Sequence, residues 1–141
     1  MEDLSFWEII ASEAERTITE AGLQLADLSR RQEQLQRFSV EVQKESSESS
    51  RLFSEKLRLL EELTTLGRDN RAVKAYQWQM TARIHAATAR ITGLYSGLTE
   101  QISQQLSEWS AEEASLREQA NLAELQRQQC MEKLQSAGES L

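Results

Sequence analysis

The side chains that could do chemistry are few and scattered. His85 is the sole histidine, and its helical neighbours three and four residues away are Thr81, Ala82, Thr88 and Ala89. A metal site or a general base needs a carboxylate, a thiol or a second imidazole within that reach. His85 therefore reads as a surface residue. Cys130 is the sole cysteine; a nucleophile would need a neighbouring base and a pocket, whereas a small apolar thiol suits a helix seam. A single cysteine forms no internal disulfide, which fits a reducing compartment. The adjacent carboxylates Glu61–Glu62 and Glu112–Glu113 have no obvious partner and read as solvated faces. No glycine-rich phosphate loop of the P-loop or dinucleotide type occurs. The reading is a non-enzymatic chain with no catalytic residue, no metal and no cofactor.

Two interaction classes fare little better. Arg71, Lys74, Tyr76, Trp78 and Arg83 interleave bases with aromatics, which would suit phosphates and stacked bases. The chain is nevertheless net acidic, at −7 over 141 residues, so nucleic acid ranks third among the functional readings. No run approaches the ~18 consecutive apolar residues of a membrane span. The first eight residues, Met1 to Glu8, are acidic and lack the basic and apolar regions of a signal peptide. A cytoplasmic protein is expected, with a nuclear one possible.

The elements that carry these residues are legible from one break. Leu66-Gly67-Arg68-Asp69-Asn70 is where turn formers meet, and there is no proline anywhere. Gly67 suits a left-handed residue ending one helix, and Asp69 or Asn70 can cap the next. Two long helices joined by so short a turn fold back on each other. The sequence predicts an all-α, long antiparallel helical hairpin or coiled coil. Its parts are a first arm over 5–66, a turn over 67–70 and a second arm over 71–137, within a single domain 1–141. Ser5 with Glu8 forms a capping-box pattern with a Leu4–Ile9 staple, and Gly138 signals the far end. The low apolar fraction, 39%, suits a narrow buried seam. Completion to a three- or four-helix bundle, by self-association or by a partner, is expected.

The seam follows the 4,3 spacing of a heptad. On the first arm it runs through Leu4, Trp7, Ala11, Ala14, Ile18, Ala21, Leu25, Leu28, Gln32, Leu35, Ser39, Val42, Ser46, Ser49, Phe53, Lys56, Leu60 and Leu63. The serine-rich stretch 45–50 is its weakest part; one continuous helix is predicted, with a break there as the alternative. On the second arm the seam runs through Val73, Gln77, Met80, Ile84, Ala87, Ile91, Leu94 and Leu98. It continues with Ile102, Leu106, Trp109, Glu113, Leu116, Ala120, Ala123, Arg127, Cys130, Leu134 and Ala137. The steps of four from Leu94 to Leu106 are a stutter. Folding about residue 68 would set Leu63 against Val73, Phe53 against Ile84, Val42 against Leu94 and Leu28 against Trp109.

A second stripe, Trp78, Ala82, Ala86, Ala89, Gly93 and Gly97, lies out of phase with that seam. Each glycine inside a helix costs about 1 kcal/mol relative to alanine. Small residues at this spacing admit a close helix, so the stripe is the candidate partner-binding face. Charge is also uneven. Residues 67–99 hold Arg68, Arg71, Lys74, Arg83 and Arg90 against Asp69, whereas residues 1–20 hold six acids against Arg16. The turn end is basic and the open end acidic, a polarity able to steer a partner.

The expected function is a non-enzymatic coiled-coil scaffold subunit of an intracellular multiprotein assembly, a rigid spacer on the order of 100 Å long that docks other helical proteins or itself. No small-molecule substrate is expected. In outline the predicted molecule resembles the helical-hairpin stalk proteins of flagellar and type III secretion export gates, although its N-terminal arm is acidic rather than strongly basic. That resemblance implies the alternative, a stalk or escort subunit of a secretion or export apparatus that engages an ATPase. Small helical subunits of kinetochore, spindle or vesicle-tethering complexes share the outline.

Overall fold

A computed structural model describes residues 4–139. Among them the chain is two long helices, α1 over Leu4–Leu66 and α2 over Arg71–Glu139, forming a two-helix hairpin without a strand. The serine-rich stretch 45–50 does not interrupt α1. Ser46 and Ser49 turn inward, half-buried, and packing of this kind outweighs the few tenths of a kcal/mol that each serine costs in propensity.

The interhelical turn has a specific construction. Gly67 N–H donates to the Leu63 carbonyl (2.9 Å), continuing the α1 ladder, and Asn70 N–H donates back to the Gly67 carbonyl (2.9 Å). Asn70 is the N-cap of α2: its Oδ1 accepts from the backbone of Ala72 (2.9 Å) and Val73 (3.3 Å). Gly67 is not left-handed, since no described glycine has a positive φ. Its requirement is steric instead. A Cβ there would stand 2.5 Å from Cγ1 of Val73, so only glycine lets the first turn of α2 approach so closely.

Both distal end signals also need correction. α1 already includes Leu4 and Ser5, so Ser5 is not its cap, and the staple partners Leu4 and Ile9 are exposed. α2 runs through Gly138 to Glu139, because a glycine tolerates helical dihedrals when nothing forces a left-handed turn.

The chain divides into two compact units, Leu35–Gln104 and Met1–Gln34 with Gln105–Leu141. In Leu35–Gln104 the helices run antiparallel around Val42, Ile84 and Ile102, the buried residues of this unit. Val73 packs by Gly67, Ile84 shares a groove with Lys56, and Tyr95 shares one with Ser46. The pairing is thus centred near Asn70 rather than residue 68, about one helical turn later. The reason is that Gly67 still belongs to the α1 hydrogen-bond ladder.

Two positions depart from the 4,3 pattern. Leu94 is 68% exposed and Tyr95 is half-buried in its place, so the step of four falls at Ala87–Ile91–Tyr95. On α1, Lys56 is exposed and Leu57 turns inward. In each case an ordinary helix has drifted past the 3.5-residue seam and a step of four restores it.

The other unit is lined by small side chains: Ala11, Ala14 and Ala21 on α1, Ala123 and Cys130 on α2, with Leu28 and Leu116 also buried. Small residues at a contact shorten the interaxial distance. Gln32 donates across the unit to Glu113 (3.3 Å), where Leu28 had been expected to meet Trp109, a displacement in the same sense. Lys133 Nζ lies 6.0 Å from the centre of the Trp7 ring, so the cation shields an aromatic that is half-buried.

Candidate docking surface

The surfaces of Leu35–Gln104 hold most of the residues singled out for binding. Trp78, Ala82, Ala86, Ala89, Gly93 and Gly97 all face solvent on α2. They follow the helix opposite its inward-facing line of Met80, Ile84, Ala87 and Ile91, because a shift of two residues turns a helical side chain most of the way around. Trp78 is 77% exposed. A Cβ built on Gly93 or Gly97 meets nothing within 4 Å. The intramolecular fold gives these glycines no packing role.

Arg68, Arg71, Lys74, Arg83 and Arg90 are likewise exposed. Among the described residues none of the five forms an ion pair, whereas Arg51–Glu55 and Arg58–Glu62 do so along α1 (each 3.8 Å). A shallow depression lies over the turn, lined by Thr65, Arg68, Asp69, Asn70 and Arg71 among others. It presents cationic groups without a compensating carboxylate beyond Asp69.

The two flanks of this unit differ in chemistry. One carries a groove lined by Leu59, Leu60, Leu63, Tyr76, Met80, Ile84 and Lys56. The other carries a groove of hydroxyls, Ser46, Thr92, Ser96, Thr99 and Ser103, with Tyr95 and Glu100. Leu59 and Tyr76 are each about half exposed, so the first groove is apolar yet uncovered.

The residues weighed for chemistry stay apart. His85 is exposed, and no cluster of three or more His, Cys, Asp or Glu side chains forms among the described residues. Cys130 is buried at 1% exposure. Glu113 and Glu62, read as unpartnered, have partners. Arg117 donates to Glu113 (2.9 Å), Gln32 adds a second donor, and Arg58 stands 3.8 Å from Glu62. The first arrangement, Arg117 before Gln32, holds the Glu113 carboxyl below its ordinary range. Arg127 does the same for Glu124 at 2.7 Å. These pairs lie along the seam of their unit, where they fix side chains rather than activate them. Among the described residues no helix is long and apolar enough to cross a membrane.

The class the fold defines is a two-helix hairpin with uncovered faces. Neither a family model, nor a curated protein, nor a solved structure matches the chain, so its surfaces carry the functional reading.

Proposed function

We propose that the chain is a non-enzymatic interaction subunit of a multiprotein assembly, in which the outer face of α2 between Trp78 and Gly97 receives a helix. The observation that carries this is the open space over Gly93 and Gly97, with a tryptophan that is 77% exposed at the other end of the stripe. Each glycine costs about 1 kcal/mol against alanine in an exposed helix, and nothing inside the hairpin offsets that. An incoming helix would, by packing its own side chains against bare backbone.

The test compares the native chain with the Gly93→Leu/Gly97→Leu variant. Helicity should be unchanged, because the added side chains point into solvent. The fixed set of partners that co-purifies with the native chain should be lost. Retention of the full set by the variant refutes the docking face.

The unpaired bases around the turn favour a second reading, a stalk or escort subunit whose turn end engages an ATPase of an export apparatus. Adding the chain should then change the nucleotidase turnover, and Arg68→Glu/Arg71→Glu should abolish the change. An unaltered turnover removes this reading.

A further inference from the structure

The uncovered flank of Leu35–Gln104 has an order that neither the hairpin seam nor the Trp78–Gly97 stripe uses. On α1 every seventh residue lies in one row beside the seam: Phe38, Glu45, Leu52 and Leu59. The matching row on α2 is Tyr76, Arg83 and Arg90, then Leu94 after the step of four. Seven residues are close to two turns, so each row keeps one face. The shared groove of Leu59 and Tyr76 sets both rows on the same side. Phe38, Leu52, Leu59 and Leu94 are between 49% and 68% exposed.

The charges on this flank are sorted along its length. Ile84 shares a groove with Lys56, so Arg83 stands level with Lys56, and Arg90 lies two turns farther from the interhelical turn. Beyond Arg90 the flank carries Glu45 and Glu41. None of Lys56, Arg83, Arg90, Glu41 and Glu45 makes an ion pair among the described residues. The turn-proximal part is therefore basic and the distal part acidic, each uncompensated.

A surface of this kind is complementary to itself after a half-turn. We propose that two copies of the chain associate through this flank, antiparallel, about a two-fold axis near Glu48. Such an axis makes an isologous contact, in which each residue meets its counterpart twice. About that axis α1 lies over the partner copy's α1, so Lys56 meets its Glu41 and Leu59 its Phe38 directly. The long side chains of Arg90 and Arg83 reach diagonally from α2 to the same acidic row, at Glu45 and Glu41, and Leu52 packs diagonally toward Leu94. Charge sorting selects a second copy over an unrelated apolar helix, because only an antiparallel copy supplies both signs in the required order. The surface is distinct from the Trp78–Gly97 stripe, so either can fail without the other.

The test is sedimentation equilibrium of the full chain over a wide concentration range, in low and in high salt. The native chain should approach twice its 16.1 kDa mass, with a dissociation constant that rises with salt. Arg90→Glu and Glu45→Arg should each weaken the dimer about tenfold, since every pair occurs twice and attraction becomes repulsion. Mixing the two variants should restore the dimer, because each then supplies the charge the other lacks. Circular dichroism should show native helicity in both, as the altered side chains are exposed and unpaired. A native chain that stays monomeric at all concentrations overturns the proposal. So does a dimer indifferent to either reversal, which would lie on another face, or a mixture of variants no tighter than each alone.

Discussion

Replacing Gly67 by alanine sets two opposed effects against each other, and the packing of Val73 decides the sign. Gly67 has no positive φ, so an alanine there incurs no left-handed penalty and restricts the unfolded chain. At such sites Gly→Ala ordinarily stabilises by about 0.4–1 kcal/mol. Against this, the new Cβ meets three atoms of Val73, at 2.5 Å, 2.9 Å and 3.0 Å. Val73 is β-branched and stiff and sits in the first turn of α2, held by the Asn70 cap. It cannot swing away without moving the helix. Overpacking of this kind costs roughly 1–3 kcal/mol, so the net expectation is a destabilisation of about 1–2 kcal/mol. A chain of this length would lose about 2–4 °C in Tm per kcal/mol. The assay is urea unfolding followed by helicity, for Gly67→Ala, Val73→Ala and the pair. Val73→Ala removes the 2.5 Å and 3.0 Å contacts and leaves the 2.9 Å one, so the penalty of Gly67→Ala should fall by about half in that background. A stabilising Gly67→Ala in the native background would refute the close-approach explanation outright.

Three further outcomes follow from the same geometry. Asn70→Ala should cost about 0.5–2 kcal/mol by freeing the two N–H groups it caps, while Asn70→Asp should keep most of that stability. Glu113 and Glu124 have folded-state carboxyls lowered below the usual 4.5, so their pairing adds stability that is full above the unfolded value and is lost as pH falls through the lowered ones. Thermal unfolding between pH 7 and 3 should therefore show a loss below about pH 4.5, flattened in Glu113→Gln/Glu124→Gln; identical slopes would count against these pairs. Gly93→Ala and Gly97→Ala should each raise the stability of the isolated chain by about 0.5–1 kcal/mol, and a loss instead would mean the glycines serve the helix itself.

Two helices and a short turn were legible because the signals are local and agree. Proline is absent, a buried-type residue recurs every three or four positions, and glycine, aspartate and asparagine gather at one place. What sequence could not supply was phase. Leu94 and Tyr95 are neighbours, and the bulkier aliphatic residue looks the better seam member. Yet a helix of 3.6 residues per turn outruns a 3.5 seam, and after Ala87 and Ile91 the inward direction falls on Tyr95. Pairing register was hidden for a related reason, since it depends on whether Gly67 ends the ladder or extends it. Of the partners of Glu113, Arg117 stands four residues on in the same helix and was open to a local reading, whereas Gln32 on the other helix is linked only once that register is known.

The exposed Leu94 is then less an error of the pattern than a property of the surface. A leucine rejected by the seam lies in the same row as Arg90, on the flank that also carries Leu52, and the fold leaves both uncovered. In Leu35–Gln104 the buried residues are Val42, Ile84 and Ile102, a thin core for seventy residues when stability scales with apolar area removed from water. Covering the flank with a second copy would remove more. Stability of the native chain should then rise with its own concentration, whereas Arg90→Glu should need about tenfold more protein to reach the same midpoint. A native midpoint indifferent to concentration would mean the thin core suffices alone.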